Sequence, residues 1–244
     1  MLAFLGLLLV WVALFSGLLL EGGQVGSLSN WQAALIVLGG TLASGLIQCD
    51  RQSWALAWRY FPRIFLKASW HSGQTEAKLV RWCQLARKNG LLSLETESSK
   101  ESDPFLRLGL QALVDGEAAV RVRHNLEVAI AARERRWMKA ANLFSSLGYS
   151  APTMGVIGAA LGLIEILSGQ QSIGAIASGL ALAFVALIYG LGLAALVFLP
   201  IAERLKAIAH ARSDYETMAL DGFLAIVEGE NPRVMARRLK GYGL

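Results

Sequence analysis

Two long stretches without an ionisable side chain open this sequence, and they constrain its fold more than any other feature. Residues 1–20 and 30–49 contain no Lys, Arg, Asp, Glu or His. A helix of about 20 residues rises about 30 Å, which matches the hydrocarbon thickness of a bilayer. No basic residue precedes the first stretch, and it is long for the apolar core of a secretory signal. Both stretches are therefore predicted to be retained transmembrane helices.

A second apolar region follows in the C-terminal half of the chain. Residues 140–164 carry no charge, and after Glu165 the next charged residue is Glu203. This interval is too long for one span, and the polar residues 168–172 divide it into a hairpin of two helices. The membrane pairs are thus predicted at 1–49 and 140–202. The sequence predicts an all-α membrane protein with four transmembrane helices.

The basic residues indicate how these spans are oriented. Sixteen of the 23 Lys and Arg lie in residues 50–139 and seven in 203–244, whereas the connections at 21–29 and 168–172 have none. By the positive-inside rule, 50–139 is predicted to be a helical cytoplasmic domain and 203–244 a cytoplasmic tail, with both termini inside. This topology explains the pI of about 9.4 without a nucleic-acid partner.

Helical periodicity organises the cytoplasmic part. Apolar residues recur at helical spacing between 54 and 113, and residues 95–103 are interpreted as a polar connection. From Val120 the charges follow one long helix that runs directly into the third span. The fourth span continues likewise through Pro200. Asn231 before Pro232 is typical of a helix start and predicts a short basic helix at the C-terminus.

Glycines in the third and fourth spans suggest close helix packing. Gly155, Gly158 and Gly162 are spaced by three and four residues, and Gly190 is a similar small residue in the fourth span. Small residues at this spacing let helix backbones approach closely in lipid. The pattern fits packing within one subunit and packing against another subunit equally well.

Two side chains within these spans could carry chemistry. Glu165 is an intramembrane carboxylate, but it lies about one turn from the break at Ser168, which favours the headgroup boundary over a central proton carrier. The hydroxyl of Tyr189 needs a hydrogen-bond partner at mid-span, either in the protein or in a wet cavity. The four helices hold no central ion carrier, so any essential carboxylate is expected from a partner.

Other classes of site find no support in the sequence. His71, His124 and His210 are scattered, and Cys49 and Cys83 are far apart, so no metal or cofactor is expected. The sequence has no phosphate-binding loop and no nucleophile elbow. An enzyme is therefore the least favoured class.

Six segments together resemble one known family. The resemblance covers nearly the whole chain in order and rests on residues 20–23, 34–41, 151–158, 183–190, 198–202 and 229–233. On these motifs the chain resembles the MotA/PomA flagellar stator subunits, within the MotA/TolQ/ExbB superfamily.

The resemblance implies a bacterial inner-membrane ring, expected to be a pentamer, around two copies of a MotB-like single-span partner that supplies the ion-binding Asp. Ion flow would drive rotation, and the cytoplasmic domain would act on the rotor protein FliG. Pro152 and Pro200 resemble the prolines thought to couple ion passage to movement. Arg87, Lys88 and Glu95 resemble the charged residues that meet FliG, although a solvated helix face also explains such charges.

Departures from the family pattern bear on the transported ion. Where sodium-driven members carry Thr, this chain has Ala159, Ala186 and Leu187. A dehydrating cation needs oxygen ligands, so their absence favours protons. Leu187 also replaces a Thr that is common in proton-driven members.

Two alternative functions remain at this stage. A TolQ/ExbB-type energiser shares the last two spans, but those proteins typically have three spans and lack the motif at 20–23. A passive membrane scaffold would fit the glycine packing, but it leaves Tyr189 and the prolines without a role.

Overall fold

The computed structural model describes residues 29–64, 72–168 and 173–243, together with Leu9, Val12 and Ser16. Within these ranges every regular element is helical and no strand is present, which confirms the all-α prediction. The helices are α1 (Trp31–Gln48), α2 (Arg51–Tyr60), α3 (Ser72–Asn89), α4 (Glu95–Lys100), α5 (Pro104–Val114), α6 (Ala119–Ser168), α7 (Ile173–Gly192), α8 (Leu199–Val227) and α9 (Pro232–Lys240).

Three helical segments among the described residues are long and apolar enough to cross a membrane. They are Trp31–Gln48, a window of Ala119–Ser168 and a window of Ile176–Val227. The first predicted span, residues 1–20, lies outside the described residues apart from the three isolated positions. Helix α6 is described up to Ser168 and α7 from Ile173, and residues 169–172 of the predicted hairpin break lie outside the described residues.

The chain divides into two compact units. The membrane unit contains the described residues up to Phe61 together with Lys139–Arg204, and the helical unit contains Pro62–Met138 and Leu205–Leu244. Two features differ from the division expected from the sequence. Helix α2 belongs to the membrane unit, and the C-terminal segment belongs to the same unit as residues 62–138.

The core of the helical unit shows why the C-terminal segment is not a separate tail. Phe223 is fully buried and stacks on Trp82 of α3, with ring centroids 6.4 Å apart. Met235 and Leu239 of α9 are buried in the same cluster. Burial of these side chains removes apolar surface from water, which stabilises the segment against α3 and its neighbours.

Local signals fix several helix ends in this unit. Asn231 caps α9, since its side-chain oxygen accepts a hydrogen bond from the backbone N–H of Arg233 at 2.9 Å, which confirms the predicted helix start. Asp103 caps α5 in the same way, by accepting from Phe105. Residues 95–103 are not one irregular connection, because Glu95–Lys100 forms a short helix that buries Ser98.

Candidate functional site

The hairpin of α6 and α7 is closed by contact between two glycines. A Cβ built on Gly155 would lie 3.2 Å from the Cα of Gly190 and 2.9 Å from the carbonyl oxygen of Ala186. A Cβ built on Gly190 would lie only 2.6 Å from the carbonyl oxygen of Ala151. Real Cβ atoms are essentially never found within 3.0 Å of such atoms, and each of the two glycines has a backbone oxygen inside that limit. Glycine is therefore required at both positions for the backbones to touch.

Two further contacts extend this close packing of α6 against α7, which we call the glycine seam, toward the end of α6 at Ser168. A Cβ on Gly158 would meet the Cβ of Ala186 at 2.8 Å, and one on Gly162 would meet the carbonyl oxygen of Gly179 at 2.8 Å. The seam thus brings Gly155, Gly158 and Gly162 against α7 of the same chain. Gly179 belongs to it as well, although no other glycine at helical spacing marks it in the sequence as a packing residue.

The four ion-path candidates of the spans occupy different environments. Ala186 is fully buried and Ala159 is 9% exposed. Leu187 and Tyr189 are half-buried. Tyr189 packs against an apolar cluster that joins α1 to α7, formed by Ala33, Val37, Leu182, Val185 and Ala186.

The two candidate coupling prolines lie within continuous helices. Pro152 is half-buried inside α6. Pro200 is exposed in the first turn of α8, directly after a π-helical segment at Leu193–Phe198. In this segment the N–H of Leu199 donates to the carbonyl of Ala194, five residues earlier. A proline ring clashes with the carbonyl four residues before it, and the wider π turn relieves that clash without ending the helix.

Glu165 lies near the end of α6 with its side chain exposed. The hydroxyl of Ser168 donates to the Glu165 backbone carbonyl at 3.3 Å, which helps to close the last turn. The carboxylate is three residues from the end of the helix, and this agrees with a position at the edge of the apolar segment.

A polar cluster between α1 and α6 was not anticipated from the sequence. The hydroxyls of Ser44 and Ser150 lie 2.9 Å apart. The side-chain amide of Gln48 donates to both, at 2.6 Å and 3.1 Å. Hydrogen bonds between spans hold helices together in lipid. In the sequence, the only feature that could have indicated this cluster is the presence of these polar residues within otherwise apolar stretches.

The candidate rotor-contact residues are exposed around one connection of the helical unit. Arg87 and Lys88 occupy the last turn of α3, and Glu95 is the first residue of α4. Gly90 between them has a φ of 81°, which favours glycine. Cations at a helix C-terminus and an anion at an N-terminus complement the helix dipoles. The charges therefore have a local stabilising role besides any role in docking.

The helical unit also contains a buried ionic network that sequence reasoning missed. Glu216 is 1% exposed and accepts from Arg133 at 2.7 Å and from Arg212 at 2.6 Å. Arg212 also donates to both oxygens of Asp103 at 3.0 Å. Burial opposes the charge of Arg212, but the two carboxylates outweigh it and raise the pKa of the guanidinium. The spacing of Arg212 and Glu216 indicates an ion pair, but it gives no sign of burial.

Comparison with known proteins places these features in context. Residues 97–217 match the family described as the MotA/TolQ/ExbB proton channel family. Motility protein A of Bacillus subtilis is 31% identical over 242 residues, covering 98% of this chain and 88% of that protein. The C. jejuni MotAB structure has a TM-score of 0.92 and 26% identity, covering 98% of this chain and 94% of that chain.

A second solved structure agrees closely. The flagellar MotAB stator complex from Bacillus subtilis has a TM-score of 0.87 and 30% identity, covering 96% of this chain and 92% of that chain. The family match and the likeness to the MotAB structures place the chain among ion-channel-type motor subunits of the membrane, and this is not an enzyme family. Within that class the chain belongs to the motility protein A family of ion-conducting flagellar stator subunits. This agreement also confirms the family resemblance seen in the sequence.

Proposed function

We propose that this chain forms the rotating ring of a proton-driven stator in the bacterial inner membrane. Four spans place both termini in the cytoplasm, and five copies surround two copies of a MotB-like single-span partner. The main observation in support of such a partner is that the membrane hairpin contains almost no carboxylates. Between residues 140 and 202 the only acid is Glu165, at the end of α6. The ion-binding Asp therefore comes from the partner.

The environment of the hairpin supports protons rather than sodium. Ala159 and Ala186 are buried and carry no side-chain oxygen. A sodium ion that loses its water needs several oxygen ligands, whereas a single carboxylate on the partner can carry a proton. Leu187 beside Ala186 adds no ligand.

Coupling to the rotor is assigned to two groups of residues. Pro152 and Pro200 interrupt the hydrogen bonding of the helices and let them bend when the partner carboxylate changes charge. Arg87, Lys88 and Glu95 face solvent and meet complementary charges on FliG. Exposed charges of this kind speed and orient the encounter more than they hold it, so the contact is salt-dependent.

Motility complementation tests the stator function. Tyr189→Leu or Pro200→Leu should abolish swimming while the protein still inserts and copurifies with its single-span partner. Ile188→Leu is the matched control, because Ile188 is an exposed neighbour of Tyr189, and it should swim normally. Full swimming by Tyr189→Leu and Pro200→Leu would contradict the proposal.

Ion choice has its own measurement. Swimming should stop when a protonophore collapses the proton gradient and should continue when sodium is withdrawn. Loss of swimming on sodium withdrawal alone would overturn the assignment of protons.

A TolQ/ExbB-type role is tested by deletion of the gene. If motility is normal but outer-membrane energisation is lost, the energiser function is correct instead.

A further inference from the structure

Helix α2 is a short element whose place in the structure differs from the one that its sequence suggests. It begins at Arg51, and only two residues separate it from the end of α1 at Gln48. Asp50 caps it by accepting from the backbone N–H of Ser53 at 3.0 Å. The helix belongs to the membrane unit rather than to the helical unit.

The contacts of α2 show that it crosses α6. Near its start, Gln52 accepts from Lys139 at 2.8 Å, and Asp50 pairs with Lys139 at 3.5 Å. Just past its end, Phe61 stacks on Phe144 with centroids 6.3 Å apart. Asp50 and Phe61 are about 16 Å apart along their helix, but Lys139 and Phe144 are only about 7.5 Å apart along α6. A helix parallel to α6 would contact a longer part of it.

The inward face of α2 is apolar or small and is buried. Ser53, Ala57 and Tyr60 are each at most 8% exposed. They lie on one side of the helix at the expected spacing. This side of α2 is therefore already covered.

The opposite face carries an aromatic ring beside two cations. Trp58 is 75% exposed, and Arg51, Ala55 and Arg59 are exposed beside it on the same side of the helix. Neither arginine forms an ion pair with a residue in the described part of the chain. One exposed apolar side chain is normal on a protein surface, so the feature that points to a binding face is the combination of Trp58 with two arginines that have no ion-pair partner among the described residues.

The end of α1 indicates what covers this face. Leu46 and Ile47 are 66% and 86% exposed, and they belong to a segment apolar enough to span a membrane. These side chains face lipid in the proposed stator. Because α2 starts within four residues of Ile47, its exposed face lies next to the edge of the lipid. Tryptophan and arginine are the residues that favour this boundary.

We propose that α2 is an in-plane helix whose exposed face binds anionic phospholipid headgroups. Trp58 lies at the boundary between headgroups and acyl chains, and Arg51 and Arg59 contact lipid phosphates. The inference rests on the orientation proposed above, which puts α2 at the cytoplasmic leaflet, where anionic lipids attract basic residues. It adds a fixed point at the membrane surface for the helices of the stator.

The depth of Trp58 is the first test. Full-length protein is reconstituted in nanodiscs of phosphatidylglycerol and phosphatidylcholine, and the emission of Trp58 is taken as the difference between wild type and Trp58→Phe. Lipids brominated near the headgroup should quench this difference more strongly than lipids brominated near the chain end. Strong quenching by aqueous iodide alone would overturn the proposal. Resistance to every quencher would also overturn it, since it would show that protein covers Trp58.

Lipid selectivity is the second test. The fraction of motionally restricted spin-labelled phosphatidylglycerol is compared with that of phosphatidylcholine for wild type and for Arg51→Gln/Arg59→Gln. Each arginine should contribute a preference of up to about fivefold at low salt, so the double variant should lose most of the selectivity. An unchanged selectivity would contradict the role of the arginines.

A matched variant controls for net charge. Arg233→Gln/Arg237→Gln removes two exposed arginines from α9 in the helical unit. It should keep the phosphatidylglycerol preference, and an equal loss in both variants would contradict a specific site on α2. Lipid binding is measured without motility. A failed swimming test with intact lipid selectivity would therefore count against the stator function, and the reverse result would count against α2 alone.

Discussion

A Cβ on Gly190 would lie 2.9 Å from the Cα of Gly155, so α6 and α7 touch through their backbones at this point. Both glycines are buried. In a bilayer, where lipid chains are as apolar as leucine, such packing rather than the hydrophobic effect holds helices together. The hairpin should therefore respond to a single added methyl group.

Gly190→Ala tests this contact. The added methyl would meet the carbonyl oxygen of Ala151 at 2.6 Å, which forces the two backbones apart. Overpacking of this kind typically costs about 1–3 kcal/mol. We expect a lower melting temperature for the detergent-solubilised protein, measured by the loss of helical circular dichroism.

Gly192→Ala is the matched control for this prediction. Gly192 lies two residues further along the same helix, and a Cβ there would meet nothing within 4 Å. Its replacement should leave the melting temperature unchanged or raise it slightly, because alanine favours helix. Equal destabilisation by the two substitutions would show that the contact at Gly190 is not the cause.

The hairpin shows which part of the helix packing the sequence alone can predict. Glycines at three- and four-residue spacing predict close helix packing, but they do not say which helix is the neighbour. Gly155 could have met another subunit as readily as Gly190. The register depends on how the side chains of both helices pack against each other, and no local pattern encodes it.

Glu216 provides a second prediction, on the stability of the helical unit. Its carboxylate is 1% exposed and accepts from two arginines. Glu216→Gln leaves Arg133 and Arg212 without their shared anion. Loss of one partner from a buried ion pair costs about 3 kcal/mol or more. Because Arg133 keeps 30% exposure, we expect the low end of that range in thermal unfolding.

An exposed ion pair on α6 serves as the control for the buried Glu216. Glu127 is 54% exposed and lies 3.8 Å from Arg123, four residues away on α6. Pairs of this kind contribute at most about 0.5 kcal/mol. Glu127→Gln should therefore leave unfolding nearly unchanged, and a loss as large as that of Glu216→Gln would mean that burial does not decide the effect.

The C-terminal segment shows why part of the fold could not be predicted. The charges of residues 203–244 correctly indicate a polar, helical region, but they suggest a tail. Phe223, Met235 and Leu239 complete the core that α3 and α5 begin. Long-range burial depends on which apolar faces meet in three dimensions, and a single sequence does not specify those pairs.

Tyr242 carries a prediction on pH. Burial and its hydrogen bond to Asp221 raise the pKa of the Tyr242 hydroxyl from its ordinary value of 10 to about 12. The neutral form is favoured in the folded state, so the stabilisation is complete below about pH 10 and is lost as the pH rises toward about 12. Tyr242→Phe should unfold with a weaker dependence on pH across this window. An unchanged alkaline profile for the variant would exclude Tyr242 as its source.

Pro200 allows stability and function to be separated. A proline inside a helix costs up to about 3 kcal/mol relative to alanine, and the π turn at Leu193–Phe198 relieves only part of that cost. Pro200→Ala should therefore raise the melting temperature and allow regular α-helical bonding. If bending at Pro200 couples ion passage to movement, the more stable variant should swim poorly or not at all. Pro232→Ala is the control, since Pro232 occupies the first turn of α9, where proline costs no hydrogen bond. A Pro200→Ala variant that is both more stable and fully motile would remove this proline from the coupling mechanism.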